Sequence, residues 1–211
     1  MTPYYEQDGI TIYHGDCREW SGSCDMVLSD PPYGIGWQPR VNHQDQVWVD
    51  DVQFDPAAWL AVGSEHVLWG GNYFAQLLPH SADWLTWIKR PIDFDFSSDR
   101  RSYATTELAW TDLGCRARFM CHVWDGGMRA GVAENRGFLH PAQKPIELML
   151  WCLSFSKTLG TVLDPFMGSG TTLVAAKRLG RKAIGIELEE RYCEIAAERL
   201  RQGALFTEQS A

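Results

Sequence analysis

The chain predicts an α/β fold, a doubly wound and mostly parallel sheet in a single domain over residues 1–211, and three observations carry that prediction. Short apolar runs of strand length alternate with segments of helical period, the pattern of βαβ construction. One run, Val162-Leu163-Asp164, passes directly into the glycine-rich turn Pro165-Phe166-Met167-Gly168-Ser169-Gly170 and a helix start at Thr171. The candidate strands also end in Asp16, Asp30, Gly70, Asp164 and Glu187. In open parallel sheets ligands lie outside the carboxyl ends of the strands, so these five positions predict one site on one rim. A length of 211 residues supports one well-buried domain and is short for two.

The first strand, residues 10–13, ends at His14-Gly15-Asp16-Cys17. The second, residues 25–29, has the apolar centre Met26-Val27-Leu28 and delivers Asp30 to its carboxyl end. Periodicity is lost from 34 to 55 among Gly, Pro, Asn, Asp and Gln, and loops of that length in compact domains are usually functional or disordered. Residues 56–62 read as helix, and 66–69 as a strand entering the turn Gly70-Gly71-Asn72. Further strands are expected at 84–88, 108–110 and 119–124, with irregular segments at 89–105 and 125–139. Pro145 opens an apolar helix over 146–155, because proline suits the first helical position. A strand at 162–163 is followed by a helix over 171–179, stopped by Gly180, and a strand over 183–186 closed by Glu187. In the last helix Tyr192, Ile195, Ala196 and Leu200 recur at the spacing of one buried face; beyond Arg201 the polar tail is expected to fray.

Composition excludes several classes. Hydrophobic residues at 45% and charged residues at 22% are those of a soluble globular protein. No apolar run approaches the roughly 20 residues needed to span a bilayer, and residues 1–8 are too polar for a signal peptide, so no membrane partner is expected. Six cysteines at 17, 24, 115, 121, 152 and 193 form no C-x-x-C pair, which argues against a metal site and a disulfide framework and for reduced thiols in a cytosol. The net charge of −8 opposes a nucleic-acid coat. Residues 83–144, however, hold nine Lys/Arg against eight Asp/Glu, a balance of +1 that leaves −9 elsewhere. A chain that only visits DNA needs one basic face.

Two motifs carry chemistry. In the turn after Asp164, glycines at 168 and 170 let a ligand approach the backbone, and the helix start at Thr171 offers free N–H groups. Alone, such a turn also serves as a purely structural connection. The G-x-x-x-x-G-K-[ST] spacing of a phosphate loop is absent. Glu187 closes the next strand, where an acid can bind both hydroxyls of a ribose. Asp30-Pro31-Pro32-Tyr33 is the sharper motif. An amino group on a heteroaromatic base is a poor nucleophile because its lone pair is delocalised into the ring. A carboxylate and a rigidly held carbonyl that accept both amine hydrogens would free that lone pair, and Tyr33 offers a face for an extruded base. In His140-Pro141-Ala142-Gln143-Lys144-Pro145, Lys144 either neutralises a ligand carboxylate or is a solvated lysine at a helix start.

With these residues in this order the chain resembles the amino-group DNA methyltransferases of the beta class, in which a catalytic D-P-P-Y precedes the cofactor motif F-x-G-x-G. Asp30–Tyr33 precede Phe166-Met167-Gly168-Ser169-Gly170 in the same way, and His140 to Pro145, Gly185-Ile186-Glu187 and Arg191-Tyr192 are also similar to that family. The resemblance covers roughly 10–37 and 65–200, and short phage or prophage members are the most similar. It implies a seven-stranded, Rossmann-like methyltransferase sheet with one antiparallel strand and a circularly permuted motif order. It implies S-adenosyl-L-methionine as cofactor and S-adenosyl-L-homocysteine as product. The backbone of Phe166 to Gly170 would hold the methionine part, and Asp164, Ser169 and Thr171 would also lie at the cofactor. Glu187 would take the ribose, Asp16 and Cys17 the adenine, and Lys144 would lie near the carboxylate end.

The function so implied is direct methyl transfer to the exocyclic 6-amino group of a flipped adenine in DNA, in the cytoplasm of a bacterial or phage-infected cell, with or without a partner nuclease. Aspartate rather than serine before P-P-Y leans toward adenine. The alternatives are the 4-amino group of cytosine, an RNA or protein amine, or a cofactor-binding DNA-binding protein without turnover. A Rossmann oxidoreductase would need G-x-G-x-x-G after its first strand, which is missing. Only the loops at 36–55, 89–105 and 125–139 are available for target recognition, so a short or relaxed recognition sequence is expected, read partly by Arg90, Arg100, Arg101 and Arg129. The resemblance also allows a homodimer.

Overall fold

The structure, a computed structural model, describes residues 1–36, 50, 54–91, 93–95, 97, 104–125, 128–129 and 143–207. Its strands are β1 (Pro3–Gln7), β2 (Ile10–His14), β3 (Met26–Ser29), β4 (Glu65–Trp69), β5 (Trp84–Ile88), β6 (Thr106–Thr111), β7 (Arg118–Cys121), β8 (Trp124–Asp125), β9 (Met128–Arg129), β10 (Val162–Asp164) and β11 (Ala183–Glu187). The α-helices are α1 (Ala57–Leu60), α2 (Ile146–Leu153), α3 (Thr171–Arg178) and α4 (Glu190–Thr207). The main sheet has the order β1-β2-β11-β10-β3-β4-β6-β5-β7.

From β2 to β4 every neighbour is parallel, β6 runs antiparallel to both β4 and β5, and β7 is parallel to β5. Within the seven strands from β2 to β5 across the sheet, β6 is the antiparallel one. Two edge strands make the sheet nine-stranded instead of seven. β1 was not anticipated: only Tyr5 of its five residues is buried, so no apolar alternation marks it. It is held by a hairpin whose turn residues, Asp8 at φ 53° and Gly9 at φ 77°, are of the kind a two-residue turn requires. The expected strand at 119–124 divides into β7 and β8, and β8 pairs with β9 in a separate ribbon. The chain past Arg201 continues α4 to Thr207 instead of fraying there.

Successive side chains of a strand face opposite sides, and the two sides are covered differently. Met26, Leu28, Val67 and Trp69 join Leu148 of α2, Leu173 of α3 and Ala196 of α4 in one cluster. Val27, Leu68, Leu163 and Ile186 face the other way, where Phe54, Trp59 of the short α1, and Phe74 cover them. Among the described residues that second layer is built of aromatic side chains more than of helix. No described helix is long and apolar enough to cross a membrane. Among the described residues no group of three or more His, Cys, Asp or Glu is placed to hold a metal ion.

Candidate active site

Four adjacent strands, β3, β10, β11 and β2, run parallel and end on one rim. Their ends carry, in spatial order, Asp30, the turn after Asp164, Glu187 and Asp16. At roughly 4.8 Å per strand the rim from Asp30 to Asp16 measures about 14 Å. Main-chain bonds knit the ends together: Met167 N–H donates to Ile186 O at 3.1 Å, and Gly15 N–H to Glu187 O at 2.9 Å.

On the β10–β11–β2 side, Glu187 organises the turn. Its carboxylate accepts Gly168 N–H at 3.0 Å and Glu189 N–H at 2.9 Å, and burial pushes its pKa up. Asp16 is bonded by Arg18, through the backbone N–H and the guanidinium Nε, both at 2.9 Å, and this partner holds its pKa down at about 2. Burial raises the Cys17 thiol to about 11, so it is protonated and unreactive at neutral pH.

Several residues expected to touch a cofactor are also bonded within the fold and brace the turn. Asp164 is only 4% exposed and accepts Ser29 Oγ–H at 2.9 Å and Phe166 N–H at 3.2 Å. Burial raises its pKa to about 6. Ser169 and Thr171 are buried, and both face Arg199 of α4, whose Nη1 donates to Ser169 O at 2.5 Å, Ser169 Oγ at 3.2 Å and Thr171 Oγ1 at 3.3 Å. Gly170, at φ 77°, could not carry a Cβ, which would lie 2.7 Å from the Cβ of Ala196. Helix packing and the left-handed φ both demand glycine there.

On the β3 side Asp30 stands in a chain of charges. Tyr33 Oη–H donates to Asp30 Oδ1 at 2.5 Å, and Lys144 Nζ is ion-paired with Asp30 Oδ2. Lys144 also lies 3.2 Å from Glu107 Oε2, and Lys89 is ion-paired with Glu107 Oε1. Burial raises the Asp30 pKa, with Glu107 adding to the effect and Lys144 opposing it. Burial would also raise Glu107, but its two lysines outweigh it and hold the carboxyl below the usual range. Burial and the Asp30 carboxylate push the Tyr33 phenol well up, so it remains a donor. Tyr33 stacks on Tyr73 with ring centroids 5.0 Å apart and planes 18° from parallel. Pro31 is buried and Pro32 half-buried behind them. Lys144, expected at the far end of a ligand, thus engages Asp30 directly.

The expected DNA contacts fare differently. Arg90 is 2% exposed, with its guanidinium 5.7 Å from the centre of the Phe94 ring, so it presents no charge to a surface. Arg100 and Arg101 lie outside the described residues, as do His140 and most of 36–55 and 125–139; of Arg129 the backbone of β9 is described. Two site residues escaped the sequence reading. Glu107 reaches the rim because β6 is antiparallel, which puts its first residues, not its last, beside Asp30. Arg199 lies seven residues after Tyr192 on the apolar stripe of α4, and a charge on a buried stripe is a signal that sequence offers.

Comparison with known proteins supplies the family. Residues 114–198 match a family model described as a DNA methylase. The chain is 30% identical to the type II methyltransferase M.HinfI of Haemophilus influenzae, over 91% of this chain and 68% of that protein. Among solved structures, the complex of M1.HpyAVI with SAM superposes with a TM-score of 0.55 at 23% identity, covering 90% of this chain and 99% of that one. The cytosine-N4-specific PvuII DNA methyltransferase superposes with a TM-score of 0.61 at 17% identity, covering 93% and 88%. At these identities the structural likenesses carry the fold.

Proposed function

The chain belongs to the amino-group DNA methyltransferases, and from that premise we propose that it methylates the 6-amino nitrogen of an adenine flipped out of DNA. One observation supports this above the others: Asp30 and the glycine-rich turn, 134 residues apart in sequence from Asp30 to Asp164, end adjacent parallel strands, and the Ser29–Asp164 bond ties them together.

S-adenosyl-L-methionine is the cofactor; when bound it supplies an electrophilic methyl group on a sulfonium, and transfer leaves S-adenosyl-L-homocysteine and one proton to be removed from the amine. The residues present fit it. The three ends that would hold its methionine, ribose and adenine parts, at Phe166–Gly170, Glu187 and Asp16, follow one another along the rim over roughly 10 Å. Glu187 keeps lone pairs free beyond its two backbone bonds, as ribose hydroxyls require.

Asp30 and the Pro31 carbonyl accept the two amine hydrogens and localise the nitrogen lone pair. Tyr33 supplies the face on which the base stacks. Tyr73, 41% exposed, covers one face of that ring and must swing away if the base takes that side. The same acceptors suit the 4-amino group of cytosine, and Asp in place of Ser at position 30 favours adenine.

The test is Asp30→Ala. Methylation of unmethylated DNA should be abolished while cofactor affinity stays within a few-fold of wild type, and nucleoside mass analysis of the wild-type product should show methyl on adenine. Retained turnover in the variant would remove the catalytic role, and methyl on cytosine would change the substrate.

A further inference from the structure

We propose that Glu107 is a positioning residue for the methyl transfer, one that shares Lys144 with Asp30 and so sets how readily Asp30 accepts the amine hydrogens. The inference rests on the role of Asp30 given above and adds a residue on a strand that neither motif contains.

Asp30, Glu107, Lys144 and Lys89 bring two negative and two positive charges together at the rim. Lys144 Nζ touches Asp30 Oδ2 and lies 3.2 Å from Glu107 Oε2, while Lys89, from the end of β5, holds Glu107 Oε1. Lys144 is only 9% exposed in its side chain, so its ammonium has these carboxylates in place of water. The groups that face Asp30 are Lys144 from the segment before α2, Glu107 from β6, Tyr33 from its own loop, and Asp164 at the end of β10, whose carboxyl also feels the Asp30 charge. Tyr73 stands behind Tyr33.

The two partners act on Asp30 in opposite senses. A buried carboxylate tends to keep its proton, and a protonated Asp30 would lose acceptor capacity toward the amine; Lys144 keeps it ionised. An undivided ion pair has the opposite fault, because a carboxylate fully committed to an ammonium is a weak acceptor. Glu107 prevents that by taking one face of the ammonium and by placing a like charge near Asp30. During the reaction the nitrogen gains the methyl and becomes cationic. Its N–H bond then breaks and an O–H bond forms on Asp30, which passes the proton to solvent. Glu107 favours that step by keeping Asp30 basic.

The experiment is the pH dependence of kcat/KM for DNA methylation by wild type, Lys144→Met, Glu107→Gln and Glu107→Asp, with cofactor affinity measured separately by calorimetry. Loss of Lys144 should move the acid limb up by about 1–3 pH units, the usual effect of one adjacent opposite charge. Loss of the Glu107 charge should move it down by about one unit and lower the plateau rate, and Glu107→Asp should recover most of both. A scaffold role would not shift the two limbs in opposite directions. Shifts of the same sign, unmoved limbs, or Lys144→Met losing cofactor affinity with an unchanged profile would each overturn the inference. Glu107→Gln keeps the side-chain volume, so its downward shift remains a test even if Lys144→Met does not fold. Asp30→Asn separates the two levels: if it remains active the underlying reading fails. If it is inactive while the limbs stay fixed, only the role of Glu107 fails.

Discussion

Gly70→Ala should cripple methylation while sparing cofactor binding, and the structure sets the size of the effect. Gly70 follows β4 with φ 72°, a left-handed conformation that costs a non-glycine residue about 1–2 kcal/mol. A Cβ there would lie 2.0, 2.3 and 2.6 Å from three carbons of the Tyr33 ring. Carbon atoms rest at about 3.5–4.0 Å, so the ring must retreat by roughly 1.5 Å. The backbone is fixed by Gly70 N–H donating to Leu108 O at 2.8 Å, and the aromatic side chain is the part that yields. A retreat of that size takes the Tyr33 hydroxyl out of reach of Asp30, from 2.5 Å to beyond hydrogen-bond distance, and breaks the stack on Tyr73. With the strained φ, the total loss is about 2–4 kcal/mol, since the broken contacts are partly solvated.

For a chain of this size that loss lowers Tm by roughly 5–15 °C, measurable by calorimetry. The functional prediction is sharper. Glu187, Asp16 and the turn after β10 lie on the other side of β3 from Gly70, so calorimetric cofactor affinity should change less than threefold. The methylation rate should fall at least tenfold, because Tyr33 no longer orients Asp30 or a base. Full activity in a folded Gly70→Ala protein would refute the account of Tyr33.

Three further outcomes are expected. Asp164→Asn should retain most cofactor affinity, since an amide oxygen can still accept from Ser29 and Phe166, whereas Asp164→Ala should weaken it by leaving both donors unpaired; equal losses would mean that the carboxylate itself contacts the ligand. Arg199→Met should raise the cofactor Kd several-fold with little change in kcat at saturation, and an unchanged Kd would show that the turn holds its shape without the clamp. The buried His66 has Nδ1 2.6 Å from Asp112 Oδ2 and Nε2 2.9 Å from Val62 O, so both nitrogens donate and the ring is cationic. Burial opposes that charge, but Asp112 prevails and raises the pKa. Its stabilisation is therefore complete below the unfolded value near pH 6.5 and is lost as pH rises through the higher folded value. Urea midpoints from pH 5.5 to 9 should fall more in wild type than in His66→Gln, and parallel curves would exclude the charged form.

What could be read in the sequence was local. Apolar runs that stop at a carboxylate or glycine marked the ends of β2, β3, β4, β10 and β11, because a buried strand and its polar tip differ sharply in side-chain chemistry. β1 escaped because an edge strand with one buried residue has no period, although Asp8-Gly9 is a hairpin turn in plain view. The direction of β6 escaped for a different reason. Its residues 108–110 are apolar in either orientation, and only pairing with β4 and β5 shows that Glu107 belongs to the rim. Aromatic cover for the second face was equally hidden, since nothing distinguishes Trp59 or Phe74 as lids until Val27 and Leu68 are seen beneath them.

The brace residues show how much of a motif is occupied in holding its own backbone. Asp164, Ser169, Thr171 and Gly170 stand at one turn, and each packs on or bonds to a neighbour: Ser29, Arg199 or Ala196. A polar side chain next to a strand end has two uses, to touch a ligand or to hold the backbone that does, and composition cannot separate them. Asp164, at 4% exposure, accepts from Ser29 and Phe166 on Oδ1, and the half-buried Glu187 accepts one backbone N–H on each oxygen, so both hold the turn in place. Lys144 is in the same way engaged by Asp30. Stability of the turn and affinity for the cofactor should therefore be coupled through the groups that brace it. In this site, substitutions behind the rim should act on binding, whereas substitutions around Asp30 should act on turnover.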